Sequence, residues 1–110
     1  MLRKIAFKTF PPINGVEGDV TSQALLETVV ASRQKNGETL ATMRSAIKVM
    51  DALEAAKAAG ATELLLDEAS WQFLKGRVET MTWAFAHRAF VELSDDVIGA
   101  AKFDPNAPAA

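Results

Sequence analysis

Residues 71–90 read WQFLKGRVETMTWAFAHRAF and contain both tryptophans, three of the six phenylalanines and the only histidine of a 110-residue chain. Whether this stretch is one helix or two decides the fold. At about 100° per residue, Trp71, Leu74, Val78, Met81 and Phe85 fall on one narrow stripe, the side a helix buries. The same helix continued would put Trp83, His87 and Phe90 on a second stripe more than about 120° from the first. A straight helix would then be apolar on two sides. Two compatible resolutions stand open. The helix breaks near Thr80-Met81-Thr82, where β-branched threonines weaken it and can cap a new one, or the second stripe faces a partner.

Downstream, SDDVIGAAK from Ser94 reads as a last helical turn or two, with Asp95 and Asp96 capping a helix that begins at Val97 and Ile98. FDPNAPAA, with Pro105 and Pro108, reads as a frayed tail. The expected division is one globular domain over residues 1–103 and a flexible C-terminal tail over 104–110. Upstream, Asp67 is a candidate N-cap, and Glu68 is placed to favour the positive end of the helix dipole. Residues 63–66, ELLL, are too few and too apolar to classify by period, but their position between Gly60 and Asp67 suits one strand of a small N-terminal sheet. Lys75-Gly76-Arg77 reads as two cations on an outer helix side, the glycine costing about 1 kcal/mol relative to alanine unless a neighbour approaches closely.

At the N-terminus Leu2, Ile5 and Phe7 alternate imperfectly with polar residues, which suggests a short half-buried strand. Pro11-Pro12 stops it. Asn14-Gly15 then favours a tight turn that returns Val16 as a second strand. Thr21 or Ser22 can cap a helix carrying Leu25, Leu26, Val29 and Val30 on a buried face, with Asn36-Gly37 as its C-terminal stop. A longer helix runs from about Thr39 to about Ala59, ended by Gly60. Leu40, Met43, Ile47, Met50 and Leu53 share one of its sides, while Arg44, Lys48 and Asp51 lie on another, with Lys48 and Asp51 spaced to pair. The fold class that follows is mainly α, with a minor N-terminal β-hairpin or short strands and three to four helices in one domain.

Composition bounds the function. Hydrophobic residues make up 49% and charged residues 24%, the balance of a globular rather than a disordered chain. The absence of cysteine excludes disulfides, thiolate metal sites and cysteine nucleophiles. MLRKIAFKTF lacks the apolar run of a signal peptide, and no stretch approaches the roughly 20 apolar residues that span a bilayer. A cytoplasmic protein without a membrane partner is expected. Residues 1–60 carry a net +2 and residues 61–110 a net −4, too little charge for the basic stripe that neutralises duplex phosphates.

Nothing in the chain carries catalytic spacing. His87 has no nucleophile or second acid within sequence reach, there is no His-Glu-x-x-His pattern, and Arg88 and Glu92 read as a surface ion pair. Asp95 and Asp96 diverge by about 100° if helical, so they do not form a facing acid pair. The expectation is a non-enzymatic protein with no cofactor and no metal. Its expected partner-binding residues are Trp83, His87 and Phe90, since aromatic rings dominate interface energetics. A module that stacks a ligand or single-stranded nucleic acid on these rings is the competing reading, with Lys75, Arg77 and Arg88 as its only nearby cations.

The order of these features, from the basic strand through INGVEGD, SQALLETVV, LATMRSAIKVMDALEAA, ELLLDEASWQFLKGRV and WAFAHRAFVELSDDVIGA, resembles small helical proteins encoded by tailed bacteriophages and prophages. Leu64, Leu66, Asp67, Trp71, Leu74 and Lys75 carry the likeness most directly. The resemblance implies a virion-assembly or accessory protein acting through protein contacts or self-association, in the host cytoplasm or in the virion. It transfers no catalytic residue, and it leaves room for a small phage-encoded inhibitor.

Overall fold

A computed structural model describes residues 2–10, 20–32, 37–83 and 87–103, with the backbone alone at residue 103. The elements follow the chain as β1 (Leu2–Ala6), β2 (Thr9–Phe10), β3 (Val20–Thr21), α1 (Ser22–Val30), α2 (Leu40–Ala58), β4 (Glu63–Asp67), α3 (Glu68–Thr80), α4 (Arg88–Ile98) and β5 (Ala101–Phe103). The fold is mainly α with minor β, as the sequence implies.

β1 is the middle strand of an antiparallel sheet ordered β4-β1-β5. Ile5 pairs with Leu64 and Arg3 with Leu66, which turns Ile5, Leu64 and Leu66 together onto the buried face. The strand expected at residues 63–66 is therefore in the N-terminal sheet. SDDVIGAAK does not stay helical to Lys102: α4 ends at Ile98, and Ala101–Phe103 pairs with Leu2–Lys4 as β5. A second ladder of two residues joins β2 to β3. Val16 and the Asn14-Gly15 turn lie outside the described residues, as does the tail over 104–110.

Each helix starts where a side chain can satisfy a free backbone N–H. Thr21 caps α1, Thr39 caps α2 through a reciprocal box with Thr42, and Asp67 caps α3 by accepting from the Ser70 N–H at 2.7 Å. Gly60, at φ +65°, closes α2 in the left-handed region that only glycine enters cheaply. α1 stops at Val30 rather than at Asn36-Gly37. Its last carbonyls find other donors, Ser32 Oγ at 2.7 Å from the Val29 oxygen and the Arg77 guanidinium at 3.3 Å from the Val30 oxygen. Ser22 also ties α1 to the strands, accepting from the Lys8 N–H at 2.8 Å while its own N–H donates to the Lys8 oxygen at 2.9 Å.

The core lies between the sheet and the helices. Leu26 and Val29 of α1, Val49 and Leu53 of α2, Trp71, Leu74 and Val78 of α3, and Phe90, Leu93 and Val97 of α4 close over Ile5, Leu64 and Leu66. α4 is one helix from Arg88 to Ile98, so Asp95 and Asp96 cap nothing at Val97. Both Asp96 oxygens face the Lys8 ammonium instead, at 3.1 and 3.0 Å, tying α4 to the strand segment. Arg77 is not on an outer side either. It is only 7% exposed, bonded to Glu38 and to the Val30 carbonyl, with its guanidinium over the Phe73 ring. Neither Arg88–Glu92 nor Lys48–Asp51 is among the ion pairs of the described residues.

Candidate interaction surface

The stretch at 71–90 is broken. α3 ends at Thr80, Met81 turns to extended backbone, and α4 restarts after His87, whose Nδ1 accepts the Ala89 N–H at 3.0 Å. Residues 84–86, and with them Phe85, lie outside the described set. The break brings Trp83 back onto Phe90, their rings stacked with centroids 4.0 Å apart and planes 12° apart. His87 meets the same Phe90 ring at 5.9 Å, tilted by 59°. Phe90 is 8% exposed and its ring is used inside the chain, whereas Trp83 and His87 are half-buried. Of the three expected partner-binding residues, only the outer edges of Trp83 and His87 are open to a partner.

A larger apolar surface lies on α2. Leu40, Met43, Ile47 and Met50 are 40–63% exposed, while Val49 and Leu53 of the same helix are 0% and 1% exposed. The exposed four lie within about 80° of one another around the axis, and Val49 and Leu53 lie at least about 120° from Ile47. Leu53 therefore leaves the side it was expected to share. It packs inward with Val49, toward β4 and α3. The helix that is apolar on two sides is α2, not the C-terminal one.

The outer stripe borders a shallow cleft of about 420 Å³, lined by Met43, Ile47 and Met50 from α2 and by Val30 and Ala31 at the end of α1. Arg44 and Asp51 flank the stripe on its other shoulder, about 60° and 40° from Ile47. Neither has an ion-pair partner among the described residues. The missed signal was the period itself: on a 100° wheel the spacing 3, 4, 3 from Leu40 to Met50 holds one face, and the further step of 3 leaves it.

Several charged groups elsewhere are committed to the fold. Arg3 holds Glu68 through two bonds at 2.9 and 3.0 Å, which raises the arginine pKa and lowers that of the glutamic acid. The Ser70 N–H holds the Asp67 carboxyl below the usual carboxylate range, and the Thr42 hydroxyl, with Arg77 behind it, does the same for Glu38. Of the three cations near the aromatic stretch, Arg77 is bound to Glu38 and Lys75 lies 5.3 Å from the Trp71 ring centroid, leaving Arg88 exposed. Among the described residues no three His, Asp or Glu side chains converge as metal ligands, and no helix is long and apolar enough to cross a membrane. Comparison with known proteins gives no matching family model, no matching curated protein and no matching solved structure.

Proposed function

We propose that this chain is a non-enzymatic protein that works by protein–protein contact, with the outer face of α2 as its docking surface. The observation that carries the reading is the exposure of Leu40, Met43, Ile47 and Met50 as one contiguous stripe, centred about 120° round the axis from the helix's own buried side. Scattered exposed apolar residues are ordinary, but a contiguous apolar patch on a helix marks a surface that loses water to a partner. Two methionines among the four suit such a face, since their unbranched side chains adapt to the shape that meets them. The half-buried edges of Trp83 and His87 form a second, smaller contact region. The biological setting we propose is phage or prophage morphogenesis, or an accessory role beside it, supported by the order of sequence features; gene neighbours encoding capsid, portal or tail proteins would agree with it.

A photo-crosslinking residue placed at position 47 tests the docking face. A discrete adduct from position 47, absent when the same residue replaces the exposed Glu79 of α3, is expected. No adduct at 43, 47 or 50 in the cells that express the protein would remove α2 as its contact surface.

A further inference from the structure

We infer that the occupant of the α2 face is the same face of a second copy of this chain, with the two helices antiparallel. The inference rests on the reading of α2 as a docking surface and adds the identity and direction of what covers it. Its support is the asymmetry of the stripe's two shoulders. Met43 and Met50 lie on one, and Arg44 and Asp51 on the other, about 100° away across Ile47.

Two helices related by a two-fold axis can meet in only two ways along such stripes. If they run parallel, each shoulder meets the opposite shoulder of the other copy, so Arg44 and Asp51 face methionines and find no counter-charge. If they run antiparallel, each shoulder meets its own kind. Ile47 then crosses the partner's Ile47, Met43 lies opposite the partner's Met50, and Arg44 comes opposite the partner's Asp51. Symmetry repeats the last pairing, so one pair of copies makes two such ion pairs, each between groups that lack an ion-pair partner in their own described chain. Lys48 lies further round the helix, about 100° from Ile47.

Spacing of 3, 4, 3 along Leu40, Met43, Ile47 and Met50 is also the seam period of paired helices. Four side chains cover less than the roughly 800 Å² per partner of a standard interface, so the pair is reversible and depends on concentration.

Sedimentation equilibrium of the full chain over a wide concentration range, with circular dichroism as a check on folding, tests this. The wild type is expected to move reversibly from one to two copies, and Ile47→Asp to remain a folded monomer. Arg44→Asp and Asp51→Arg each place like charges opposite one another twice and are expected to weaken pairing by about tenfold or more. The double variant Arg44→Asp/Asp51→Arg exchanges the charges and is expected to restore it. A dimer indifferent to both single variants, or a double variant that stays weak, overturns the antiparallel arrangement. A wild type that is monomeric throughout, while its position-47 crosslinker still gives an adduct of another mass, overturns self-pairing and leaves the docking face standing. Monomer with no adduct removes both.

Discussion

The guanidinium of Arg3 sits 3.8 Å from the centroid of the Trp71 ring, and the indole N–H of Trp71 donates to the Val97 oxygen at 2.8 Å. Arg3 itself donates to the Ala100 oxygen at 3.0 Å. One arginine and one tryptophan thus join β1, the start of α3 and the end of α4. Trp71→Phe keeps a ring but removes the indole's bond to the Val97 oxygen, which is left with the longer Ala100 N–H bond at 3.3 Å, and leaves a void; about 1–3 kcal/mol of lost stability is expected by chemical denaturation. Arg3→Lys, which loses the two-bond grip on Glu68, is expected to lower the thermal midpoint without changing the helical signal. A midpoint unchanged in both variants would show that the clip contributes nothing.

Arg77 and Glu38 are unequal partners. The arginine side chain is 6% exposed and the glutamate 25%, so removing one is not equivalent to removing the other. Glu38→Ala leaves a buried cation without its counter-ion, whereas Arg77→Met leaves a carboxylate that water can reach. The Glu38 variant is therefore expected to show the larger fall in denaturation midpoint. The reverse order would mean that packing against Phe73, not charge, dominates at Arg77.

Two glycines should respond with opposite sign. A Cβ at Gly76 meets nothing within 4 Å, so Gly76→Ala is expected to stabilise α3 by up to about 1 kcal/mol. Gly60 also has open space but sits at φ +65°, so Gly60→Ala is expected to destabilise by about 1–2 kcal/mol. Thermal unfolding of both variants reads the contrast directly.

Acid should unfold the chain through carboxyl groups that the fold keeps ionised. Glu38, Asp67 and Glu68 all bind protons less readily when folded than their ordinary values imply. The unfolded chain therefore takes up more protons as the pH drops through the ordinary carboxylate values, and stability falls until the lowered folded values are passed. Denaturation midpoints are expected to hold near neutrality and decline below about pH 4.5, with Asp67→Asn flattening part of that decline. Midpoints independent of pH across this window would contradict the assignment.

The sequence made the starts of elements easier to read than the surfaces they face. Thr39, Asp67 and Gly60 mark boundaries through local bonds and local dihedrals, and those boundaries lie where the pattern puts them. At the end of α1 the Val30 carbonyl is met by the distant Arg77, a contact that no local pattern contains. His87 is a cap that residue preference alone would not choose, although its bond to the Ala89 N–H is local. The stripe on α2 was legible as a stripe. That Val49 and Leu53, rather than Ile47, would turn to the core is decided by β4 and α3. Strands of two or three residues, such as β3 and β5, carry too few positions for alternation to mark them.

β1 is the sheet's middle strand, and its two neighbours come from residues 63–67 and 101–103. During synthesis it emerges before both neighbours and waits with both edges bare until they follow. Folding of this protein is thereby tied to completion of translation through residue 103, and a nascent chain halted before that point keeps one open strand edge for a chaperone, or for another unfinished chain, to take.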